Sequence, residues 1–215
     1  MKHFKKLPMT FDVDKLQHAL KQVTDIVDFP KVLIEQKPLK EPIYIHGDKV
    51  YYQLCLTRRN QEPAPDCYYV YRGDHKKASN VKAYAMDKIH INTEKDEYHK
   101  EFEYTEFIPE LSHTYFKEVY DTLTEYCNKN NFILGRARLR LSYPLCCLEW
   151  HQDDQANLHI PIVTSPGSRI VIEDECMFLP AGEVWFADVT KGHTQFNSSA
   201  LERVCLLYTS PSPRD

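Results

Sequence analysis

Three residues in the second half of the chain could together bind a metal ion: His151, Asp153 and His193. A β-strand over residues 148–154 would place alternate side chains on one face, so His151 and Asp153 could bind one ion. A His-x-Asp pair is a weak indication alone, because the chain has ten histidines. His193 follows a glycine beyond the apolar strand at 184–187 and supplies a third ligand. Two histidines and one carboxylate are the ligands expected for non-haem Fe(II) oxygen chemistry.

A cosubstrate site beside this metal is predicted from Arg203, which follows His193 by ten residues. Fe(II) needs a reducing cosubstrate to activate O2, and a planar guanidinium can bind the far carboxylate of such a molecule through two hydrogen bonds. A charge-assisted hydrogen bond contributes about 1.5–3 kcal/mol, which is enough to orient the cosubstrate. His159 is the remaining polar group in the apolar strand 158–163, and it could face the same cavity.

The rest of the sequence predicts the elements that position these groups. Apolar residues recur at helical spacing over residues 12–27 and again over 109–129, which predicts two helices. After Gly135 the pattern changes to alternation, and short β-rich pieces follow between turn signals, which is typical of a sandwich or small barrel. Upstream, residues 43–45 and 50–54 indicate strands, and the polar stretch 72–100 indicates an exposed loop. We therefore predict a mainly β protein with flanking helices.

Four motifs carry the chemistry-bearing residues. They are Trp-His151-Gln-Asp153, Leu-His159-Ile-Pro-Ile-Val, Ala-Gly182-Glu-Val-Trp185-Phe and His193-Thr-Gln-Phe-Asn197-Ser-Ser-Ala-Leu-Glu-Arg203-Val. Through them, residues 136–204 resemble the aspartyl/asparaginyl β-hydroxylase family, including its bacterial cis-proline-hydroxylase-like members. Residues 7–12, the helix after them and the helix before Gly135 also resemble this family.

The resemblance implies a fold, two cofactors and a role for each site residue. The fold would be a double-stranded β-helix (jelly-roll, cupin-like) over about 135–204, supported by an N-terminal α+β layer over 1–134. The cofactors would be Fe(II) and 2-oxoglutarate, with ascorbate as a supporting reductant. His151, Asp153 and His193 match the iron ligands, Arg203 matches the 2-oxoglutarate anchor, and His159 matches a second cosubstrate contact. The strands of His151 and His193 would be neighbours, and those of His159 and Arg203 would be neighbours in the facing sheet.

The sequence departs from many family members at two positions. It has Asn157 where they have an arginine two positions before the strand histidine, and Leu145 where they have glycine after Pro144. Some animal members have glycine at the position of Asp153, so this chain resembles the bacterial type of site.

The predicted function is a 2-oxoglutarate-dependent dioxygenase that hydroxylates an amino acid, either free or as an Asp, Asn or Pro residue. A small amino acid is favoured, because no peptide-binding repeat accompanies the core. Two alternatives stay open: a cupin-type metalloenzyme that does not use 2-oxoglutarate, and a non-catalytic β-barrel binding module whose histidines are core residues. Arg136, Arg138 and Arg140 share one strand face and could receive a substrate carboxylate, or form ion pairs or a solvated stripe.

Composition excludes several classes of protein. The 215 residues suit one domain, since domains typically have about 100–200 residues. Net charge is −4, from 27 basic and 31 acidic residues, and the basic residues are scattered, which argues against a nucleic-acid partner. No apolar stretch approaches the ~20 residues of a membrane span, and no signal-peptide core follows the N-terminal lysines. We expect a cytoplasmic protein whose partners are O2 and a small-molecule or peptidyl amino acid.

Residues 205–215 differ from what precedes them, with two prolines and two serines where a strand should finish. The string matches one reading frame of the transposase adaptor used in shotgun DNA library preparation. We therefore predict that the natural part of this sequence stops at Val204 and that the true C-terminus is missing. We also predict that the chain comes from a metagenomic assembly and that 205–215 do not belong to the 1–204 domain.

Overall fold

The computed structural model describes residues 1–26, 51–58, 70–72 and 101–210. Within these ranges lie two α-helices, α1 (Val13–Ile26) and α2 (Tyr115–Lys129), and a 3-10 helix at Pro109–Leu111. The strands are β1 (Phe4–Thr10), β2 (Tyr51–Cys55), β3 (Thr57–Arg58), β4 (Val70–Arg72), β5 (Glu106–Phe107), β6 (Ala137–Ser142), β7 (Cys146–Cys147), β8 (Ala156–Val163), β9 (Ser168–Ile172), β10 (Glu175–Met177), β11 (Glu183–Ala187), β12 (His193–Asn197) and β13 (Arg203–Ser210). The strand predicted at 43–45 lies outside the described residues. Of the loop predicted at 72–100, only Arg72 is described, and it is the last residue of β4.

Both predicted helices are present, with one correction. Asp12 caps α1, because its carboxylate accepts a hydrogen bond from the Lys15 N–H at 3.1 Å. The second helix was predicted to begin at Pro109, but α2 begins at Tyr115. Thr114 has extended backbone angles (φ −86°, ψ 156°) and its hydroxyl donates to the Leu111 carbonyl at 2.7 Å, which ends the 3-10 turn before α2 starts. No helix in the described part of the chain is long and apolar enough to span a membrane.

Eight successive strands, β6 to β13, build a double-stranded β-helix. The larger sheet has the order β1-β11-β8-β13-β6-β2-β4, and the facing sheet has the order β10-β9-β12-β7. The pairings among these strands are antiparallel, and the chain repeatedly crosses from one sheet to the other as it proceeds. The predicted fold class is therefore confirmed: a mainly β jelly roll with flanking helices. β1, which the sequence pattern did not predict, extends the larger sheet beside β11.

The two faces of the larger sheet have different partners because side chains alternate along each strand. One face packs against the two helices and forms the main apolar core. On β6 this face carries the fully buried Leu139 and Leu141, and on α2 it meets Phe116 and Leu123. The opposite face of the sheet borders the space between the two sheets, which we call the lumen.

The lumen has an apolar part and a polar part. A second apolar cluster includes Phe4 of β1, Ile170 and Ile172 of β9, and Trp185 and Ala187 of β11. Most of the buried polar side chains instead come from β6, β8, β12 and β13; among them are Arg138, Arg140, Ser142, Asn157, His159, His193, Gln195, Asn197 and Arg203. Because buried polar groups need partners, the polar part is where a ligand would be bound.

β13 lies in the middle of the larger sheet, between β8 and β6, and all of its residues are buried. Residues 205–210 were predicted to stand outside the domain, but 205–208 pair with both β6 and β8, and 209–210 pair with β8. The structure does not test whether a library adaptor encodes these residues, so that origin stays a prediction. As the chain stands, these six residues fill the centre of the fold.

A truncation series tests how far the fold depends on this strand. We expect a chain that ends at Val204 to lose its cooperative thermal transition in circular dichroism, because β6 and β8 would lose their shared partner. A chain that ends at Ser210 is the matched control and should melt at the temperature of the full chain. Equal melting temperatures for the Val204 and Ser210 chains would contradict a structural role for residues 205–210.

Candidate metal centre

His151, Asp153 and His193 converge at one end of the lumen. Their ligand atoms all lie within 4.8 Å of one another. One carboxylate oxygen of Asp153 lies 3.6 Å from His151 Nε2, and the other lies 3.9 Å from His193 Nε2. The structure thus brings the His151 and Asp153 pair together with His193, which is distant from them in the sequence. The two imidazole nitrogens and the carboxylate oxygen suit a first-row divalent metal ion.

The backbone fixes the two histidines side by side. His151 forms an isolated antiparallel bridge with His193, in which each N–H donates to the carbonyl of the other at 3.0 and 2.8 Å. The ring centroids are 4.2 Å apart. Asp153 is held separately, because its N–H donates to the Val189 carbonyl at 2.9 Å. The expected placement of the His151 and His193 segments beside each other is what the structure shows.

The prediction of a strand over residues 148–154 is wrong, although His151 and Asp153 share one site as predicted. Only His151 in this stretch makes a bridge, and the neighbouring residues are not in regular strand structure. The reason is that β7 ends at Cys147 and the chain then crosses the end of the smaller sheet towards β8. His151 and Asp153 still point together, and the residues that alternate with them, Gln152 and Asp154, are exposed.

Two backbone carbonyls orient both imidazole rings for metal binding. Nδ1 of His151 lies 2.7 Å from the Glu149 carbonyl, and Nδ1 of His193 lies 3.1 Å from the Lys191 carbonyl. A carbonyl only accepts, so each Nδ1 must carry the proton and each Nε2 presents its lone pair. Burial lowers the pKa of His193, which keeps its ring in the neutral form that binds metal.

A glycine and a glutamate hold the segment just before His193. The Gly192 N–H donates to Glu173 Oε1 at 2.8 Å, and the Gly192 carbonyl accepts from the Glu173 N–H at 2.9 Å. A Cβ on Gly192 would lie 2.7 Å from the indole nitrogen of Trp150, so no larger residue fits without displacing that ring. Trp150 is 56% exposed, and it therefore lies at the surface beside the metal centre and not in the core.

The centre opens towards solvent on one side only. The side chains of His151 and Asp153 are each 37% exposed, whereas that of His193 is 5% exposed. A metal ion held by the three would therefore lie at the boundary between the lumen and the solvent. A small molecule could reach it from the exposed side without any rearrangement of the sheets.

Arg203 and His159 lie on neighbouring strands of the larger sheet, β13 and β8, as expected. Arg203 is 2% exposed, and its Nη1 donates to Gln195 Oε1 at 3.3 Å, while its Nη2 has no hydrogen-bond partner among the described residues. His159 Nε2 is likewise buried without a partner in the described part of the chain, and its Nδ1 lies 3.8 Å from the Cys205 sulfur. Two buried nitrogen atoms, Arg203 Nη2 and His159 Nε2, are thus left to bind a ligand in the lumen.

Gln195 is a site residue that the sequence reading missed. Its Nε2 donates to the Ser142 hydroxyl at 2.7 Å and its Oε1 accepts from Arg203, so it connects β12 to β6 and β13 across the lumen. The contact with Arg203 orients the guanidinium. Strand alternation could have found this residue, because Gln195 lies two positions after His193 on the same face of β12.

The arginines near β6 are not a solvated stripe. Arg136 and Arg138 form ion pairs with Glu101 at 2.5 and 3.2 Å, and Arg138 also donates to Thr209. Arg138 and Arg140 are buried on the lumen face. Two of the three arginines therefore take part in the ion pairs that the sequence left as one alternative.

Comparison with known proteins gives similarities of structure but no relative in sequence. No family model matches the chain, and no curated protein matches it. Similar solved structures include a 2OG-Fe(II) oxygenase family oxidoreductase from Burkholderia pseudomallei, with 14% identity and a TM-score of 0.37 over 44% of this chain and 56% of that one. This chain thus matches little more than half of the Burkholderia protein.

Two further similar structures differ in how much of this chain they cover. AviO1 from Streptomyces viridochromogenes Tue57 has 14% identity and a TM-score of 0.46, with 98% of this chain and 90% of that chain covered. A cupin domain from Bordetella pertussis Tohama I has 16% identity and a TM-score of 0.32, with 36% and 81% covered. At identities and TM-scores this low, the similarities say nothing about the reaction of this chain.

The buried His159 makes stability depend on pH in a defined direction. Burial, together with the charges of Arg203, Arg140 and Arg138 and the nearby His193, lowers the pKa of His159 well below its usual value near 6.5. Below pH 6.5 the unfolded chain binds a proton here that the folded chain does not bind. For each unit by which the pH is lowered below 6.5, we therefore expect this group to reduce the free energy of unfolding of the metal-free protein by up to about 1.4 kcal/mol.

Denaturant unfolding between pH 7.5 and 5 measures this slope. His159→Gln should reduce the slope by the contribution of one proton, while His193 leaves a residual slope of the same sign. His18→Gln, which changes an exposed side chain on α1, is the matched control and should leave the slope as it is. An unchanged slope in His159→Gln would show that His159 is not buried in its neutral form.

Proposed function

We propose that this protein is an Fe(II)/2-oxoglutarate-dependent dioxygenase that hydroxylates an amino acid. One observation carries the proposal. Three side chains that could hold a metal ion converge at the open end of a β-helix. The lumen of this β-helix holds a deeply buried arginine, Arg203, whose Nη2 has no partner among the described residues. A metal alone would not need that cation in the lumen, whereas a dicarboxylate bound beside the metal would.

The residues fit the proposed metal. His151 Nε2, His193 Nε2 and a carboxylate oxygen of Asp153 would hold Fe(II) and leave coordination positions open. When both are bound, Fe(II) and 2-oxoglutarate supply the oxidation chemistry: the cosubstrate loses CO2 to give succinate, one oxygen atom of O2 enters succinate, and the other converts a substrate C–H to C–OH. The resulting enzyme would be an oxidoreductase.

Arg203 and His159 would bind the cosubstrate. The Arg203 guanidinium, steadied by Gln195, would bind the carboxylate of 2-oxoglutarate that is distant from the metal. His159 is neutral at pH 7 because of its lowered pKa. In the tautomer that carries its proton on Nε2, which has no partner among the described residues, the ring would donate one hydrogen bond to the same ligand without adding charge. The apolar side of the lumen, lined by Ile170 and Trp185, would limit water around the bound cosubstrate.

Succinate formation tests the reaction class. Purified protein with Fe(II), 2-oxoglutarate and ascorbate should form succinate when presented with a panel of free amino acids and short peptides. Asp153→Ala should reduce turnover below detection, because it removes a metal ligand. Asp154→Ala, the exposed neighbouring carboxylate, is the matched control and should keep the wild-type rate. No succinate with any member of the panel would count strongly against the proposal.

Arg203 separates the proposal from its two alternatives. Arg203→Ala should weaken 2-oxoglutarate binding roughly 10- to 150-fold, since it removes a charge-assisted contact worth about 1.5–3 kcal/mol. Metal affinity, measured by calorimetry with Fe(II) under argon, should stay unchanged. If the protein is a cupin-type metalloenzyme of another kind, the wild type should bind metal but not 2-oxoglutarate. If it is a non-catalytic β-barrel, the wild type and His151→Ala should bind metal equally weakly.

A further inference from the structure

The lumen face of β6 carries a second buried guanidinium close to the metal centre. Arg140 is 8% exposed and lies opposite Cys205 of β13 in the sheet register. Ser142, two residues further on the same face, accepts a hydrogen bond from Gln195 of β12 across the lumen at 2.7 Å. Because side chains two positions apart share a strand face, Arg140 lies on the wall that opposes His193 and Gln195.

The other arginines near the lumen already have a structural partner or a proposed role. Arg136 and Arg138 share the carboxylate of Glu101, which fixes them as structural ion pairs. Arg203 is oriented by Gln195, and the proposed function assigns it to the cosubstrate. Arg140 also interacts with other groups of the chain. A guanidinium presents five N–H donors, so such an interaction and an external carboxylate can be bound together.

The electrostatics agree with a position of Arg140 in the polar part of the lumen, near His193. Burial is the largest cause of the lowered pKa of His193 on β12 and of His159 on β8, and the positive charge of Arg140 is one of the smaller causes at both. Burial and Cys147 raise the pKa of Cys146 on β7 to about 11, and Arg140 acts in the opposite direction. Its charge therefore acts on groups of three different strands around the polar part of the lumen.

We propose that Arg140 binds the carboxylate of the substrate, and that the substrate is a small molecule with a free carboxylate, such as a free amino acid. This inference rests on the proposed function, because it takes Arg203 as the cosubstrate anchor. Carboxylate and guanidinium pair through two parallel hydrogen bonds, which fixes the orientation of the bound acid as well as its charge. The carbon atoms next to that carboxylate would then lie beside the exposed face of His151 and Asp153.

Binding of acids and amides to the loaded protein tests the inference without turnover. The protein is loaded with Ni(II), which does not support the reaction, and with 2-oxoglutarate, and is titrated calorimetrically with the twenty free L-amino acids. The C-terminal amide of each amino acid that binds is then titrated. We expect at least one free amino acid to bind. Its amide should bind at least about 10-fold more weakly, because the amide lacks one charge-assisted contact.

Substitution of Arg140 should remove this preference. In Arg140→Gln the acid and its amide should bind equally weakly, while Ni(II) and 2-oxoglutarate bind as in the wild type, which also shows that the variant folds. Arg140→Lys should retain part of the preference, because it keeps the charge but loses the paired hydrogen bonds. Arg169→Gln, which replaces an arginine on the outer face of β9, is the matched control and should keep the full preference.

Four outcomes would overturn the inference, and each leaves the proposed function standing if 2-oxoglutarate still binds the Ni(II) protein. These are binding of no free amino acid, equal binding of acid and amide to the wild type, a retained preference in Arg140→Gln, and loss of 2-oxoglutarate binding in Arg140→Gln. The last would assign Arg140 to the cosubstrate. If the wild type binds no 2-oxoglutarate at all, both the inference and the proposed function fail.

Discussion

The site depends on one backbone constraint, the antiparallel bridge between His151 and His193. Two hydrogen bonds join these residues across a gap of 42 positions in the chain, and they place the two rings 4.2 Å apart. The carbonyls of Glu149 and Lys191 then set the proton on each Nδ1, so that both Nε2 atoms face the Asp153 carboxylate. Without the bridge, the backbone of the segment that carries His151 and Asp153 would not be held directly beside His193.

The double-stranded β-helix turns this local constraint into a ligand site. Helices α1 and α2 cover the outer face of the larger sheet, so the lumen can hold polar groups without sacrificing the main core. Within the lumen the apolar cluster around Ile172 and Trp185 adjoins the polar wall of β6, β12 and β13. Buried guanidinium groups are costly unless they have partners, and here Glu101 and Gln195 supply some of them. A bound carboxylate would supply a partner for Arg203 Nη2, which has none among the described residues.

Much of the candidate site could be predicted from the sequence because its signals are local. The alternation in residues 136–142 predicted β6, and the pair of His151 and Asp153 on one face followed from a period of two. The sequence could not show that residues 148–154 make only one bridge, because that depends on where β7 ends. Nor could it show Gln195 between Ser142 and Arg203, since this contact joins three strands that only the topology brings together. Glu101, which pairs with Arg136 and Arg138, was missed for the same reason.

The most direct test of the account is a crystal structure of the protein grown without oxygen in the presence of Fe(II) and 2-oxoglutarate. Anomalous scattering at the iron edge locates the metal independently of the protein atoms. We predict one iron peak within about 2.2 Å of His151 Nε2, His193 Nε2 and an Asp153 oxygen, the usual range for such ligands. The far carboxylate of 2-oxoglutarate should lie on Arg203. An iron peak elsewhere, or a 2-oxoglutarate molecule that does not touch Arg203, would contradict the account.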